Sequence, residues 1–332
     1  MILCAAMIRR STSPLCAALA VAALFTGCHP QPAAHSYTSI QMDTVVEVTL
    51  NGPPERRARG LAQEVFALFD RVEREMSRYR DDSTVSAIDR NAPRWTPISP
   101  DLAAVLREAV RVAALSDGAF DPTIGAVSAL WGFGDEGGHI PEAKGLKAAL
   151  ATVGYPRLVV EQKRARLLYP GTRLDLGGIA KGYAVDRAAD LLAKAGVRGA
   201  IVNAGGDIRV FGERPGGGPW HIGIQHPRDP KALLTKLDLT DTAVVTSGDY
   251  ERYFIKDGVR YHHILDPATG QPARGCRSVS VVTKSAMTGD ALATAAFVLG
   301  PERGLALLKK VGATIAIIVA ADGTVVRFPA EP

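Results

Sequence analysis

The sequence predicts an α+β protein in which mostly antiparallel sheets pack against helices. Two long helical patterns come early, and most strand-like segments follow them in direct succession, joined by short turns. Two of these turns, Asp257-Gly258 and Asp322-Gly323, have the composition of tight hairpins. No internal repeat and no long linker follow residue 40. We therefore expect one compact unit of two lobes.

Length and composition are those of a protein with a sizeable core. Of the 332 residues, 47% are hydrophobic and 22% are charged, which excludes disorder of the whole chain. The 33 Gly and 21 Pro residues show no short period, so a collagen or a coiled coil is excluded. A net charge of +5 without a run of Lys and Arg, with 6% aromatic residues, argues against nucleic-acid binding.

The N-terminal segment predicts export. Arg9 and Arg10 precede the apolar run Pro14–Phe25, which is too short for a membrane span but fits a signal peptide. Leu24-Phe25-Thr26-Gly27-Cys28 resembles a bacterial lipobox, so Cys28 is the expected lipidation site of a periplasmic, membrane-anchored lipoprotein. The alternative is ordinary cleavage nearby that leaves a soluble exported protein. The expected divisions are a signal peptide at 1–27, a tether at 28–38 and a folded domain at 39–330.

Periodicity predicts the elements of the first half. A β-branched strand over 39–50 ends at the turn Asn51-Gly52-Pro53. Apolar residues at steps of three and four predict a helix from Glu55 to Ser77. The same pattern predicts a helix over 99–116, with Ser99 as its N-cap. The stretch from 118 to 140 is expected to be irregular.

The second half is predicted to be mainly strand. Helices are expected at 182–195, 288–299 and 302–310. The expected strands are 157–161, 165–169, 199–203, 207–212, 219–225, 234–246, 252–256, 260–265, 278–283, 313–319 and 324–328.

A glycine pair followed by a lysine is the first motif with chemical meaning. In Asp175-Leu176-Gly177-Gly178-Ile179-Ala180-Lys181-Gly182-Tyr183, glycines permit close backbone approach and Lys181 adds a point charge at a predicted helix start. This combination suits a phosphate. The order of residues is neither that of a Walker A loop nor that of a Rossmann fingerprint. A tight turn capped by Asp175 explains the segment equally well.

Two further motifs lie at predicted strand ends. Asn203-Ala204-Gly205-Gly206-Asp207 is compatible with a simple hairpin turn. Ser247-Gly248-Asp249-Tyr250 precedes a predicted hairpin, and His262-His263-Ile264-Leu265-Asp266-Pro267-Ala268-Thr269-Gly270 ends it, so Ser247 and Asp266 are expected to converge. Strand alternation sends the two histidines to opposite faces, so at most one enters a given site. A surface histidine pair is the alternative.

Asp290 and Thr294 are four residues apart at the start of a helical pattern. Their oxygens therefore project from one face of the helix. Two hard oxygens completed by a backbone carbonyl, water or phosphate form the usual environment of Mg²⁺. A helix N-cap at Thr288 or Asp290 is the alternative.

Together the four motifs resemble those of the FAD:protein FMN transferase family, also known as ApbE. The resemblance runs from about Met42 to Gly300 and includes Ser77-Arg78-Tyr79 and Gly118-Ala119-Phe120-Asp121-Pro122. It implies an ApbE-like fold and an enzyme that moves FMN from FAD onto a Thr or Ser hydroxyl of a partner protein. The product would be a phosphoester, and AMP would be released. The implied partner is an exported redox-protein subunit that carries the acceptor hydroxyl.

The resemblance also assigns residues. His263 would be the base, and the metal Mg²⁺ would be held by the Asp290 and Thr294 side chains and the Gly178 carbonyl. The FAD site would be lined by Met42, Tyr79, Ala119, Phe120, Asp121, Asp175, Lys181 and Ile264. Two alternatives stay open. One is a Mg²⁺-dependent FAD pyrophosphatase, which would use water in place of the acceptor hydroxyl, and the other is a non-catalytic lipoprotein that binds FAD.

Overall fold

A computed structural model describes residues 34–133 and 138–329. These residues belong to one compact unit. The predicted signal peptide, Cys28 and the first part of the tether lie outside the described residues. The predicted domain boundaries, the lipidation site and the export therefore stay predictions.

The described residues form both strands and helices. In chain order the strands are β1 (His35–Gln41), β2 (Thr44–Asn51), β3 (Thr96–Pro97), β4 (Leu158–Val160), β5 (Arg164–Leu167), β6 (Gly199–Ala204), β7 (Asp207–Gly212), β8 (Trp220–His226), β9 (Asp229–Leu239), β10 (Thr242–Gly248), β11 (Tyr253–Lys256), β12 (Val259–His262), β13 (Cys276–Thr283), β14 (Ile315–Ala320) and β15 (Val325–Phe328). The helices are α1 (Glu55–Met76), α2 (Thr84–Asn91), α3 (Pro100–Leu115), α4 (Gly125–Trp131), α5 (Ala143–Leu150), α6 (Ala180–Lys194) and α7 (Ala286–Lys310).

The main sheet has the strand order β1-β2-β6-β7-β10-β13-β14-β15, and each neighbouring pair is antiparallel. Three smaller antiparallel sheets accompany it: β3-β5-β4, β8-β9 and β11-β12. The predicted fold class, α+β with mostly antiparallel sheets and packed helices, is confirmed.

The central strands are buried on both faces. On one face Val245 and Val281 join the principal core beneath the helices α1, α3, α6 and α7. On the other face Val244 and Val282 pack with Trp220 of the β8-β9 hairpin. Burial on both faces agrees with the adjacent apolar residues Val244 and Val245 in β10 and Val281 and Val282 in β13, which point to opposite faces.

A smaller apolar cluster lies beneath α4, α5 and the β11-β12 hairpin. Its buried members are Val127, Trp131, Leu146 and Leu265. The Trp131 indole N–H donates to the Gly270 carbonyl at 2.7 Å, which ties α4 to the segment that follows β12. Partly buried Phe254 and Tyr261 complete this cluster from the hairpin.

The predicted long helices are confirmed. The Ser99 side chain accepts a hydrogen bond from the Leu102 N–H, as expected of an N-cap. The two predicted C-terminal helices form α7, which has non-helical geometry at Gly300, immediately before Pro301. Among the described residues, α7 is also the helix whose length and apolar composition would suffice to cross a membrane. It is largely buried in the principal core.

Three expectations about the elements are wrong. The predicted strand 39–50 is a hairpin, because Met42 and Asp43 both adopt positive φ values (51° and 57°) and turn the chain. Met-Asp is not a usual sequence for such a turn, so composition did not reveal it. The predicted strand 234–246 is divided at Asp241, where φ is 50°. The predicted irregular stretch contains α4, and α2 and α5 were not predicted because each has only eight residues.

Candidate active site

A cavity of about 250 Å³ opens where the principal core meets the smaller cluster. Phe120 and Ile264 line it from the principal core, while Phe133 and Leu265 line it from the smaller cluster. The structure brings every predicted site residue except Cys28, which lies outside the described residues, to this cavity. These residues are Met42, Tyr79, Ala119, Phe120, Asp121, Asp175, Gly178, Lys181, His263, Ile264, Asp290 and Thr294.

The deep wall of the cavity is a network of buried charges. Lys181, in the first turn of α6, donates from Nζ to Asp207 Oδ2 at 2.8 Å. The same ammonium lies 3.7 Å from Asp290 Oδ2. Asp290, on α7, also accepts a hydrogen bond from the Gly182 N–H at 3.2 Å. Lys181 therefore lies where it was predicted, but two carboxylates already pair with its charge.

Asp207 and Asp290 share one cation in this network, and the pKa values of both carboxyl groups are raised. Burial, followed by the charge of Asp207, raises the pKa of Asp290 above its usual range. Burial also raises the pKa of Asp207, although Lys181 opposes it. Burial alone would lower the pKa of Lys181, but Asp207 and Asp290 outweigh it and raise that pKa. The Lys181 ammonium therefore stays charged. Two carboxyl groups face this one cation, so an additional cation would be stabilised in the deep wall.

Hydroxyl and backbone oxygens lie beside the charged network. Thr294, one helical turn after Asp290, has its Oγ1 3.3 Å from Ser247 Oγ. A Cβ placed on Gly178 would lie 3.0 Å from Thr294 Oγ1 and 3.3 Å from the Phe120 ring, so the backbone at Gly178 lies directly against Thr294. The three residues predicted to hold a metal thus meet, although Gly178 and Thr294 are far apart in sequence.

Within the described ranges, no group of three or more His, Cys, Asp or Glu side chains could hold a metal ion. A cation at Asp290 would therefore be completed by hydroxyl, carbonyl, water and substrate oxygens. Such a donor set is typical of Mg²⁺, which prefers hard oxygen ligands and keeps several positions for water or phosphate. The residues present therefore fit Mg²⁺.

A second charged pair forms another part of the cavity wall. Arg78 Nε lies 3.0 Å from Asp175 Oδ2, and the Arg78 guanidinium stacks over the Tyr79 ring at 4.1 Å from its centroid. The Gly177 N–H donates to Asp175 Oδ1 at 2.9 Å, so Asp175 does cap the glycine turn. Burial would raise the pKa of Asp175, but Arg78 and this hydrogen bond lower it. Asp175 thus stays ionised.

Asp121 lies in the cavity wall, with its carboxylate turned to the protein. Oδ1 accepts hydrogen bonds from the Thr123 N–H at 2.8 Å and the Thr123 hydroxyl at 2.6 Å. Oδ2 accepts from the Tyr155 N–H at 2.7 Å. Asp121 thus shapes the wall formed by its neighbours Ala119 and Phe120.

Met42 reaches the cavity through the unpredicted β1-β2 turn. Its backbone N–H donates to Glu73 Oε2 of α1 at 3.1 Å. The turn also lies against the β6-β7 hairpin, where a Cβ on Gly205 would lie 2.4 Å from Thr44 Oγ1. The Asn203–Asp207 motif is thus a hairpin turn in which Gly205 has a φ of 60°. This turn packs against the β1-β2 turn that carries Met42.

The two adjacent histidines have different surroundings. His262 is 3% exposed, its Nε2 lies 2.7 Å from the Ala273 carbonyl, and its Nδ1 accepts from the Ile264 N–H at 3.3 Å. His263 lines the cavity, and its Nδ1 lies 3.2 Å from the Arg252 carbonyl. A carbonyl can only accept, so His262 carries its proton on Nε2 and His263 on Nδ1. The His263 Nε2 therefore keeps its lone pair.

The charge of His263 is also determined by its surroundings. Burial, followed by the positive charge of Arg252, holds the pKa of the His263 imidazole well below its usual range. His263 is therefore neutral at physiological pH and can accept a proton on Nε2. The expectation that one histidine of the pair enters the site agrees with the geometry.

Asp266 does not join Ser247 at the cavity, contrary to the expectation. Its Oδ1 accepts from the Ala268 N–H at 2.9 Å, and its Oδ2 accepts from the Thr269 hydroxyl at 3.1 Å. Both carboxylate oxygens of Asp266 are therefore hydrogen-bonded within the turn that the side chain caps. The β11-β12 hairpin pairs as predicted, but Ser247 meets Thr294 instead.

Four charged residues of the site were not singled out from the sequence. Arg78, Glu251 and Arg252 line the cavity, and Asp207 pairs with Lys181 behind it. Arg78 and Asp207 belong to quoted motifs, Ser77–Tyr79 and Asn203–Asp207, but received no role, and Glu251 and Arg252 directly follow Ser247–Tyr250. Adjacency was the available signal, but it does not reveal which side chain faces the cavity.

Carboxyl groups outnumber cations in the cavity, although burial raises the pKa of Asp121, Glu251 and Asp290. Among its described lining residues, carboxyl groups belong to Asp43, Asp121, Asp175, Glu251 and Asp290, and cationic groups to Arg78, Lys181 and Arg252. A phosphate-bearing substrate would enter this environment at an electrostatic cost. A divalent cation would offset that cost.

Sequence comparison identifies relatives along most of the chain. Residues 42–319 match the model of the ApbE family. A protein named FAD:protein FMN transferase from Vibrio cholerae is 36% identical over 311 residues, which cover 92% of this chain and 93% of the relative. One of the same name from Escherichia coli K12 is 31% identical over 320 residues, covering 91% of each.

Solved structures agree. The crystal structure of the ApbE protein from Thermotoga maritima superimposes with a TM-score of 0.82 at 36% identity, covering 89% of this chain and 97% of the other. The apo flavinyl transferase ApbE from Pseudomonas stutzeri gives a TM-score of 0.78 at 35% identity, covering 89% and 94%. The matched span includes every predicted site residue of the cavity, from Met42 to Thr294. This chain therefore belongs to the ApbE family.

Proposed function

We propose that this protein transfers the FMN moiety of FAD to a Thr or Ser hydroxyl of an acceptor protein and releases AMP. The observation that carries the proposal is the convergence, in one cavity, of a neutral histidine with a free Nε2 and an oxygen-rich group suited to Mg²⁺. Relatives that cover more than nine tenths of this chain carry the same activity in their names.

The reaction is a phosphoryl transfer. The acceptor oxygen forms a bond to the phosphorus of the FMN half of FAD, while the bond from that phosphorus to the bridging oxygen breaks. AMP leaves with the bridging oxygen and the electron pair of the broken bond. The proton of the acceptor hydroxyl passes to Nε2 of His263, which the Nδ1 contact to the Arg252 carbonyl orients.

Substrate binding adjusts the base. The positive charges of Arg252 and Lys181 contribute, after burial, to the low pKa of His263. A pyrophosphate beside these cations would compensate their charge, so we expect FAD binding to raise the pKa of His263. His263 therefore becomes a better base once the substrate is in place.

The metal proposed for this reaction is Mg²⁺, held by the Asp290 and Thr294 side chains and the Gly178 carbonyl. When bound, the ion neutralises charge on the phosphates. Lys181 keeps the Asp207 and Asp290 carboxylates in place, and Asp290 accepts the Gly182 N–H, which aligns α6 with α7. The excess of carboxylates over cations in the cavity supports the metal.

The acceptor is proposed to be an exported redox-protein subunit. Glu251, Arg252 and Tyr79 line the cavity and are exposed, so the site is accessible to a loop of another protein. The lipobox-like segment at Cys28 supports a membrane-anchored location on the periplasmic side. Metabolic lipid labelling of the chain and of its Cys28→Ser variant tests the anchor, and equal labelling would refute it.

Intact mass spectrometry tests the activity. Purified residues 29–332 are incubated with FAD, Mg²⁺ and a test protein that carries an acceptor Thr. We expect the acceptor to gain the mass of covalently attached FMN, and the gain to disappear when that Thr is changed to Ala. Free FMN and AMP with an unmodified acceptor would favour the pyrophosphatase, and unchanged FAD would favour the binding protein.

A further inference from the structure

The three cations that line the cavity differ in what they contact. Lys181 is paired with Asp207 and Asp290, and Arg78 is paired with Asp175 and stacked on Tyr79. The Arg252 guanidinium, by contrast, has no hydrogen bond or ion pair to any residue within 34–133 and 138–329. Arg252 is exposed, and together with Glu251 and His263 it forms the part of the cavity lining that we call the mouth.

The backbone of Arg252 also contacts His263, the proposed base. Its carbonyl accepts the His263 backbone N–H at 3.1 Å and faces Nδ1 of the His263 ring at 3.2 Å. The backbone of Arg252 thus orients His263, while its side chain lines the same cavity. A phosphate attacked by a hydroxyl beside His263 therefore comes within reach of this guanidinium.

The charge of Arg252 acts on three other groups that line the cavity. Burial would raise the pKa of Asp175, but Arg78 and, more weakly, Arg252 lower it. Burial raises the pKa of Glu251, with Lys181 and Arg252 opposing the rise. Burial and then Arg252 lower the pKa of His263, assisted by His262 and Lys181. The Arg252 side chain therefore acts on the cavity that it lines, although it is exposed.

We propose that the Arg252 guanidinium binds the non-bridging oxygens of the phosphoryl group that the acceptor hydroxyl attacks. This inference rests on the proposed function. In an in-line displacement the leaving AMP departs opposite the attacking hydroxyl, whereas the base lies beside the hydroxyl. Because the Arg252 side chain lines the same cavity as His263, its guanidinium is available to the attacked phosphate. A planar guanidinium can hold two phosphate oxygens at once, and arginine is favoured for such contacts.

The role requires the side chain alone. Any substitution at position 252 keeps the backbone carbonyl that orients His263, so Arg252→Gln removes the guanidinium and retains the hydrogen bond. Arg252→Lys restores the charge without the planar pair of donors. Lys256→Gln is the matched control, because Lys256 is exposed on the same hairpin and does not line the cavity.

The first test compares the binding of FAD with that of riboflavin, which has no phosphate, in the presence of Mg²⁺. Flavin fluorescence measures both affinities. We expect Arg252→Gln to weaken FAD binding about tenfold and to leave riboflavin unchanged, with Arg252→Lys intermediate and Lys256→Gln like the wild type. Equal weakening of both ligands, or no weakening of FAD, would overturn the inference. This result does not depend on whether FMN is transferred.

The second test measures FMN transfer to the acceptor against pH. We expect Arg252→Gln to lower kcat/KM by about 10²-fold, because the lost contact is strongest in the transition state. The acid limb of its profile should move to higher pH, since removal of a nearby cation raises the pKa of His263. Wild-type transfer with an unaffected Arg252→Gln variant would refute the inference and leave the proposed function intact. An inactive wild type would refute the proposed function alone.

Discussion

The deep wall and the mouth of the cavity treat charge in opposite ways. In the deep wall, buried Asp207 and Asp290 and half-buried Lys181 lie on regular elements, and Lys181 pairs with both carboxyl groups. At the mouth, Glu251 and Arg252 lie on a loop and His263 follows a strand, with the Arg252 guanidinium unpaired among the described residues. Pairing keeps geometry constant, whereas an unpaired group stays available to a ligand. We infer that the deep wall positions metal and phosphate and that the mouth performs the proton transfer.

We expect the greatest loss of FMN transfer from a substitution of Asp290 in the deep wall. Asp290→Asn keeps an acceptor for the Gly182 N–H but loses the charge that Mg²⁺ needs. We expect FMN transfer to fall by about 10³-fold, equivalent to about 4 kcal/mol of transition-state stabilisation. Thermal melting should also lose the Mg²⁺-dependent rise of the wild type. Asp190→Asn, at an exposed position of α6, is the control. Mg²⁺-dependent transfer by Asp290→Asn at the wild-type rate would contradict the assignment.

The next effect separates the two adjacent histidines. His263→Gln should lower transfer by about 10² to 10⁴-fold while FAD affinity and the melting temperature stay unchanged, because only the base is lost. His262→Gln should instead lower the free energy of unfolding by about 1 to 3 kcal/mol, since the contact to the Ala273 carbonyl is disturbed. Single-turnover kinetics and chemical denaturation measure the two quantities. A larger loss of transfer in His262→Gln than in His263→Gln would reverse the roles.

Asp89 is a half-buried carboxyl group that forms no ion pair with any residue that the structure describes. It accepts the Leu174 N–H at 3.0 Å, and burial raises its pKa from 3.8 to about 7. Because the folded-state pKa exceeds the unfolded one, the free energy of unfolding should fall as pH rises from about 4 to about 7. Asp89→Asn should remove this decline and be more stable by about 2 kcal/mol at pH 8. Denaturation of both proteins at pH 4 and pH 8 measures it, and parallel pH dependence would contradict it.

The smallest effect concerns the support of the deep wall. The Ser285 side chain caps α7 by accepting from the Thr288 N–H, and it donates to Asp186 Oδ2 at 2.7 Å. Ser285→Ala should lower the free energy of unfolding by about 1 kcal/mol. Transfer should be unchanged, because Asp186 still accepts the Ala286 and Met287 N–H groups. A loss of activity without a loss of stability would mean that the cap itself adjusts Asp290.

Regular elements were predictable where local pattern decides them. The helix α1 was expected over Glu55–Ser77 and spans Glu55–Met76, because its apolar residues recur with helical period. The turn at Met42 and Asp43 was missed because it depends on contacts from Glu73 and from the β6-β7 hairpin. Short helices such as α2 were missed because eight residues give too few periods.

The candidate site was predictable as a set of residues but not as an arrangement. Motif resemblance identified twelve positions that the structure brings to one cavity. It did not reveal that Asp121 turns its carboxylate to Thr123 and Tyr155, or that Asp266 is consumed by its own turn. Orientation of this kind is decided by hydrogen-bond partners that are distant in sequence, or by backbone geometry that a motif does not specify.

The class of fold, the long helices and the kinds of chemistry available could be predicted from the amino-acid sequence. Apolar periodicity and turn composition are local properties, so they can be read without a structure. Which charges are paired could be seen only in the three-dimensional structure, because the partners are distant in sequence. The structure placed Lys181 between two carboxylates, gave neighbouring histidines opposite tautomers and left Arg252 open at the mouth. These outcomes depend on burial and on distances between remote segments, which a linear pattern does not contain.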